Sequence, residues 1–190
     1  MRRSSPPPRI PGATTARFDV TDPDTAAAGV AAVLGDGPVD ILVNNAGMQF
    51  RAPLEDFPVE KWQQLLTTNV SSLFYVSQPV ARAMIARSRG KIINIATKGA
   101  VRNLTRGMAT DWAKHGLQVN AIVPGYFETP LNQALVDDPA FSEWLARRTP
   151  AGRWGKAEEF VDAAVFLASD ASSFVNGHTL HIDGGLIASL

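Results

Sequence analysis

The stretch KIINIA at residues 91–96 decides the fold class of this 190-residue chain. It is apolar without strict alternation of polar residues, and QVNAIV at residues 118–123 shows the same pattern. Strands of this kind are typical of a parallel sheet that is buried on both faces. Short runs bounded by turn residues predict three further strands, at residues 16–20, 41–43 and 179–182.

Helical segments are predicted between these strands, because apolar residues recur there at helical spacing or alanine dominates. The longest covers residues 59–86 and places Trp62, Leu65 and Leu66 on one face. Alternation of strands and helices predicts an α/β fold with a doubly wound parallel sheet, in one domain over residues 16–190. The other predicted helices cover residues 25–34, 99–114, 132–136, 141–147 and 157–168.

Residues 1–15 differ from the rest of the chain, since MRRSSPPPRIPGATT contains four prolines, three arginines and no acid. Proline lacks a backbone donor, so we expect this segment to be disordered. Over the whole chain 18 basic residues balance 18 acidic ones. This balance gives no general attraction to nucleic acid or to an anionic membrane surface, so neither is expected as a partner.

The chain has no cysteine, which excludes disulfides and cysteine-ligated zinc and fits a cytoplasmic protein. No apolar run reaches the roughly 18 residues that a membrane span needs. His115, His178 and His181 are scattered, so no metal site is predicted. We therefore expect a small-molecule substrate if the chain is active.

Five motifs follow one another along the chain, at the ends of predicted strands or within a predicted helix. They are ILVNNAG at residues 41–47, TTNV at 67–70, GKIINIA at 90–96, NAIVPGYFETP at 120–130 and FVNGHTLHIDGG at 174–185. In this order they resemble the short-chain dehydrogenase/reductase family, over about residues 18–185. The runs MQFRAPLEDFPVEKW at 48–62 and RTPAGRWG at 148–155 look most like its gluconate 5-dehydrogenase and 3-oxoacyl reductase members.

The resemblance implies a Rossmann-like sheet that binds NAD or NADP. It also implies an oxidoreductase that interconverts the alcohol and the ketone of a sugar acid, of the gluconate and 5-ketogluconate type. Asn69 and Lys98 match the asparagine and lysine of the family's catalytic tetrad, and Lys98 also matches a cofactor contact. The other residues that the resemblance assigns to the cofactor are Asp19 at the adenine, Asn45, Ala46 and Gly47 beside the adenine ribose, and Pro124, Gly125 and Thr129 at the nicotinamide carboxamide.

Apart from the family resemblance, several of these residues can also be explained by a purely structural role. Asn69 also fits a core asparagine that bonds to a neighbouring strand, and Lys98 fits a lysine whose amine reaches solvent. Asp19 fits a helix cap or a turn residue. Gly125 fits a plain turn, and Thr129 fits the cap of the helix that follows it.

Two parts of the family pattern have no match in the chain. Nothing before Asp19 resembles the first two strands or the glycine-rich turn that holds the cofactor's pyrophosphate. The catalytic serine has no counterpart after KIINIA, and the tyrosine expected four residues before the lysine is replaced by Asn94. The only tyrosines, Tyr75 and Tyr126, stand four residues before prolines. We therefore expect an incomplete copy with a truncated Rossmann-like doubly wound sheet.

The chain as written is predicted to be inactive, because Thr97 cannot replace a tyrosine as general acid and base. The alternative is a non-enzymatic remnant that is inert or joins oligomers of intact homologues, so homo- and hetero-oligomers both stay open. Residues 96–98 leave almost no connector before the next helix, which predicts a distorted strand end or first helical turn. The strand at residues 16–20 has lost its usual neighbour, so it either pairs with residues 41–45 or stays unpaired.

Overall fold

A computed structural model describes residues 11–95 and 99–189 of the chain. Over these ranges four strands form one sheet in the order β1-β2-β3-β4, and every pairing is parallel. The strands are β1 Ile41–Asn44, β2 Gly90–Ile95, β3 Leu117–Pro124 and β4 Thr179–Ile182. The parallel sheet predicted from the apolar runs is therefore confirmed.

The helices lie between the strands, as the apolar spacing predicted. The first begins at a regular N-cap, where the Asp22 carboxylate accepts a hydrogen bond from the Thr25 amide at 2.8 Å and Pro23 follows the cap. The helices are α1 Pro23–Asp36, α2 Val59–Leu66, α3 Ser72–Ala86, α4 Gly99–Trp112, α5 Gln133–Val136, α6 Pro139–Arg148 and α7 Ala157–Ala168.

The long helix predicted over residues 59–86 is interrupted by a π-helical segment, Thr67–Ser71, which joins α2 to α3. Such segments insert one extra residue into a helix and turn the side chains that follow. Asn69 lies in the middle of this segment. The apolar spacing located the helix but gave no sign of the insertion.

One face of the sheet is covered by α1, α3 and α4. Ile92 of β2 and Val119 of β3 are fully buried on this face. They belong to one apolar cluster with Met84 of α3 and Met108 of α4. Because β1, β2 and β3 pair in parallel, their carboxyl ends lie next to one another at one edge of the sheet.

The opposite face is covered over β2 and β3 by α7. Leu167 of this helix packs against Ile93 of β2 and Ile122 of β3. On the same face, Ile41 and Val43 of β1 remain 43% and 49% exposed. The sheet is therefore wound on both faces, but the cover of its second face stops before β1.

The strand predicted at residues 16–20 is wrong. This segment runs without helix or strand structure up to the turn that begins at Val20. Phe18 packs instead against the side of α1 at Gly29 and joins the core under α3. A strand exists only where a neighbour pairs with it, and the alternative of an unpaired segment is the one observed.

Some expectations fall on residues that the structure does not describe. The disordered segment was predicted over residues 1–15, of which 1–10 lie outside the described range; from Pro11 to Thr15 the chain is exposed and holds neither helix nor strand. The distortion predicted at residues 96–98 also lies outside that range, between the end of β2 and the start of α4. Within the described ranges, no helix is long and apolar enough to cross a membrane, and no group of His, Asp and Glu is placed to hold a metal.

Candidate functional site

A cavity of about 870 Å³ lies at the carboxyl ends of the strands. This is the edge at which open parallel sheets collect their ligands, and the volume lies within the range of small-molecule and cofactor sites. The cavity joins two segments that are distant in sequence, the loop after β1 and the loop after β3. The residues predicted from the sequence that line it are Asn45, Ala46, Gly47, Asn69, Pro124, Gly125 and Thr129.

Asn69 holds the loop after β1 in place. Its Oδ1 accepts a hydrogen bond from the Met48 amide at 2.8 Å, and its Nδ2 donates to the Met48 carbonyl at 3.0 Å. The side chain therefore acts as a bridge between the π-helical segment and the cavity wall. The structural alternative for Asn69 was a bond to a neighbouring strand, whereas the structure shows a bond to a loop.

Gly125 is required by close approach rather than by a plain turn. Its amide donates to the Ile182 carbonyl at 2.8 Å, which ties the end of β3 to the end of β4. A Cβ built at Gly125 would lie 2.6 Å from the Cα of Asp183. Backbone atoms cannot yield as a flexible side chain can, so only glycine fits at this point of the cavity wall.

Thr129 precedes the short 3₁₀ turn Pro130–Asn132 in an extended conformation. Its side chain makes no capping hydrogen bond to that turn. The Asn132 side chain instead donates from Nδ2 to the Phe127 carbonyl at 3.0 Å and closes the loop. The hydroxyl of Thr129 is therefore not used as a cap, although its residue lines the cavity.

Asp19 is not among the residues that line the cavity. Its carboxylate accepts hydrogen bonds from the Thr21 hydroxyl at 2.6 Å and from the Thr21 amide at 2.8 Å. These bonds, the hydroxyl's first, hold the pKa of the exposed Asp19 carboxyl below its usual range. The turn role that the sequence left open is the one that the structure contains.

Lys98 lies outside the described residues. Ile95, at the end of β2, and Val101, in the first turn of α4, both line the cavity. The role implied for Lys98 stays a prediction.

Arg51 and Tyr126 are among the cavity residues that the sequence analysis did not predict. Arg51 is exposed, and among the described residues that line the cavity it alone carries a formal charge. Tyr126 follows Gly125 and also lines the cavity. Their positions in the sequence could have indicated both residues. Arg51 stands four residues after Gly47, and Tyr126 comes directly after Gly125, but Tyr126 was compared only with the family's catalytic tyrosine.

An aromatic cluster holds the Tyr126 ring. Its centroid lies 5.7 Å from that of Phe141, 6.2 Å from that of Trp144 and 5.9 Å from that of Trp154, all at steep interplanar angles. Edge-to-face pairs at these distances are favourable. The indole of Trp154 also donates to the Ser142 hydroxyl at 3.0 Å, which fixes the cluster on α6. The cavity wall after β3 is therefore rigid and aromatic.

A bidentate ion pair closes a smaller cavity of about 80 Å³ behind Tyr126. Arg153 donates to both carboxylate oxygens of Glu159, at 2.6 and 2.8 Å, and the Lys156 amide donates to the same carboxylate at 2.8 Å. These bonds, those of Arg153 first, lower the pKa of Glu159 to about 2. The pair ties the loop before α7 to the first turn of that helix.

We expect Glu159 to titrate near pH 2 in the folded chain. Because this pKa is lower than in the unfolded chain, the carboxylate stabilises the fold above the usual value of 4.5 and loses that effect as the pH falls towards 2. Arg153→Gln should return the pKa most of the way to 4.5, whereas Lys156→Gln should move it little. Carbon-detected NMR of the carboxyl groups measures both; a midpoint that stays near 2 in Arg153→Gln contradicts the assignment.

A family model and two curated relatives match nearly the whole of this chain. A family model described as Enoyl-(Acyl carrier protein) reductase matches residues 8–187. The gluconate 5-dehydrogenase of Gluconobacter oxydans is 57% identical over 195 residues, with 94% of this chain and 76% of the relative covered. The 5-keto-D-gluconate 5-reductase of Escherichia coli K12 is 47% identical over 195 residues, covering 94% and 77%.

Solved structures agree with these relatives. A gluconate 5-dehydrogenase from Burkholderia cenocepacia, in complex with NADP and tartrate, matches with a TM-score of 0.89 and 52% identity. The match covers 92% of this chain and 75% of that one. The two curated alignments are 195 residues long, which exceeds the 190 residues of this chain, so these relatives carry residues within the aligned region that this chain lacks. The chain therefore belongs to the short-chain dehydrogenase/reductase family, and it spans about three quarters of the length of these relatives.

Proposed function

We propose that this chain is, by descent, an oxidoreductase for a sugar acid of the gluconate and 5-ketogluconate type, and that it binds the sugar acid without turning it over. The observation that carries the binding part is Arg51, the charged side chain on the described wall of the 870 Å³ cavity. A sugar acid needs a cation for its carboxylate and polar groups for its hydroxyls. The cavity offers the first with Arg51 and the second with the Tyr126 hydroxyl and the Thr129 hydroxyl.

A guanidinium suits this role better than other groups in the cavity. Arginine binds a carboxylate through two parallel hydrogen bonds, which fix the orientation of the ligand as well as attract it. Within the described residues Arg51 forms no ion pair, whereas Arg87 and Arg153 are each engaged by an acid. Its charge is therefore available to a ligand at the mouth of the cavity.

The fit to a complete NADP is partial. The segments after β1 and β3 that would lie beside the adenine ribose and the nicotinamide carboxamide are both on the cavity wall. A pyrophosphate, however, needs a glycine-rich turn that begins a helix. Among the described glycines, Gly35 and Gly37 come closest to the pattern, and they stand at the end of α1. We therefore propose that the chain binds the dinucleotide weakly and transfers no hydride.

Proton transfer also lacks a donor of the usual kind. Tyr75 of α3 packs against the core under α1 and does not line the cavity. Tyr126 lines the cavity but is followed four residues later by Pro130, where the family pattern has a lysine. Lys98 and Asn69 would then position ligands and relay protons, but no tyrosine would act beside them as general acid. This supports the proposal that the chain is inactive as written.

The experiment measures turnover and binding separately. With NADPH and 5-ketogluconate, we expect no loss of NADPH absorbance above a blank without protein. With gluconate alone, calorimetry should detect binding, and Arg51→Gln should weaken it by about tenfold, the loss expected for one charge-assisted contact. Arg82→Gln, an exposed arginine on α3 outside the cavity, is the matched control and should leave the affinity unchanged.

The two measurements can fail independently. Turnover above the blank would reject the proposed inactivity and leave the sugar-acid assignment standing. An affinity for gluconate that Arg51→Gln does not change would reject the role of Arg51.

A second candidate function is suggested by the outer surface of α2 and α3. Trp62, Leu66 and Phe74 are large apolar residues that stay exposed there. Trp62 and Leu66 stand one helical turn apart on α2, and Phe74 follows on α3. Exposed apolar side chains that form a patch mark interaction surfaces, and this supports the alternative of a remnant that joins oligomers of intact homologues. Co-expression with a complete member of the family tests this: a mixed oligomer on purification supports it, and a monodisperse monomer that never co-purifies counts against it.

A further inference from the structure

The loop that carries Arg51 is closed at its base by two phenylalanine rings. Phe50 directly precedes Arg51, and its ring centroid lies 5.3 Å from that of Phe57 at an interplanar angle of 82°. Edge-to-face pairs at this distance are favourable. The two rings stand on either side of residues 51–56 in the sequence, so their contact holds the two ends of this loop together.

The contacts within the loop itself are local. The Asp56 amide donates to the Pro53 carbonyl at 3.2 Å. The Phe57 amide donates to the Leu54 carbonyl at 3.3 Å. Leu54, in the middle of the loop, is 80% exposed. The orientation of Arg51 therefore depends on the ring pair at the base of the loop.

Helix α2 supports both rings of this pair. The Lys61 ammonium lies over the face of the Phe50 ring, 5.8 Å from its centroid, which is a favourable position for a cation. Trp62 meets Phe57 edge to face, with ring centroids 6.5 Å apart. Leu65 of the same helix is buried. The ring pair is therefore connected to the body of the fold and not only to the loop.

The two rings differ in their relation to the cavity. Phe50 and Arg51 both line it, whereas Phe57 is not among the residues on its wall. On the other side of Phe50 the chain is fixed at Met48, whose amide and carbonyl both bond to Asn69. Phe57 can therefore influence a ligand in the cavity only through Phe50 and the backbone that leads to Arg51.

We propose that Phe57 is a positioning residue, which holds the Phe50 ring and thereby fixes Arg51 in the orientation that binds a carboxylate. The inference rests on the sugar-acid function proposed above, and it adds a residue outside the cavity on which the affinity depends. A guanidinium reaches both carboxylate oxygens only when its plane is aligned with them. A loop that must be ordered on binding loses affinity, even though Arg51 is still present.

The first measurement uses the full chain without a ligand. Nitrogen relaxation at the Arg51 Nε reports the motion of the guanidinium on the picosecond to nanosecond timescale. We expect Phe57→Leu to lower the order parameter of this group, because leucine cannot make the edge-to-face contact with Phe50. Phe57→Tyr keeps the ring and should leave the order parameter unchanged.

The second measurement is calorimetry with two ligands, gluconate and glucitol, which is the corresponding polyol without a carboxylate. Phe57→Leu should weaken gluconate binding by about three- to tenfold, the loss expected for one aromatic pair. It should leave the weaker binding of glucitol unchanged, since glucitol offers the guanidinium no charge. Phe57→Tyr should restore the affinity for gluconate.

Two further variants serve as control and substitute. Phe174→Leu makes the same substitution at a fully exposed ring on the loop before β4, and it should change neither measurement. Trp62→Leu removes the ring that contacts Phe57 from α2. It replaces Phe57→Leu if that variant does not fold, and we expect a smaller effect in the same direction.

Three results would overturn the proposal. The first is an Arg51 order parameter that Phe57→Leu does not lower, and the second is an equal loss of affinity for gluconate and glucitol. The third is a gluconate affinity that falls in Arg51→Gln but not in Phe57→Leu. If the unchanged chain does not bind gluconate at all, the proposed function is rejected, while a lowered order parameter in Phe57→Leu would still support the effect of Phe57 on Arg51.

Discussion

Replacing Asn94 by alanine is expected to lower the free energy of unfolding by about 2–4 kcal/mol. Asn94 is fully buried in β2. Its Oδ1 accepts from Asn44 of β1 at 2.9 Å, and its Nδ2 donates to the Thr105 hydroxyl of α4 at 3.0 Å. Alanine would leave these partners buried with bonding capacity unmet, and it would also leave a small void.

Urea unfolding measures the effect, and α4 provides a control. Asn103→Ala removes an asparagine that is exposed, so its effect should stay within about 0.5 kcal/mol. A loss of under about 1 kcal/mol for Asn94→Ala would mean that the hydrogen bonds of this side chain contribute little net stability. Asn94→Asp is a useful third variant, because it keeps the acceptor for Asn44 but removes the donor to Thr105.

This buried network also explains how the cavity is supported. Asn44 donates a second time, to the Ser77 hydroxyl of α3 at 2.9 Å. The network thus connects α3, β1, β2 and α4 just below the carboxyl ends of β1 and β2. A cavity built on loops needs such a base, since hydrogen bonds inside the core resist the shifts that loops allow.

The sequence predicted the regular elements of the fold well because apolar periodicity reports burial directly. It failed at residues 16–20, whose composition suits a strand, because pairing depends on a neighbour and no periodicity reports one. It also missed the π-helical segment Thr67–Ser71, since one inserted residue hardly changes the apolar spacing.

The sequence predicted those residues of the candidate site that stand in recognisable motifs. Asn69 and Gly125 stand in motifs, and the structure gives each a contact that explains its residue type. Asp19 depended on a strand end that does not form. Arg51 stands in the run at residues 48–62, to which the sequence analysis assigned a resemblance but no site residue; only the folded chain shows that Arg51 lines the cavity.

Gly125→Ala is expected to disturb both the fold and the cavity. The new Cβ would lie 2.6 Å from the Cα and 2.8 Å from the Cβ of Asp183, and the backbone of the next strand end must move to relieve it. The hydrogen bond from the Gly125 amide to the Ile182 carbonyl would lengthen as β3 and β4 separate. Overpacking of this kind costs about 1–3 kcal/mol, and more where backbone atoms are involved.

The same movement displaces Tyr126 from its place beside the cavity, so Gly125→Ala should weaken gluconate binding as well as lower the midpoint of urea unfolding. Gly107→Ala is the matched control. Gly107 lies within α4, where a Cβ meets nothing within 4 Å, so alanine should stabilise the chain by roughly 0.5–1 kcal/mol through helix propensity. If Gly125→Ala were as stable as the unchanged chain and bound gluconate equally well, the contact with Asp183 would not be what fixes this wall. Opposite signs for the same substitution at two glycines would show that close approach of the β3 and β4 ends determines the residue at position 125.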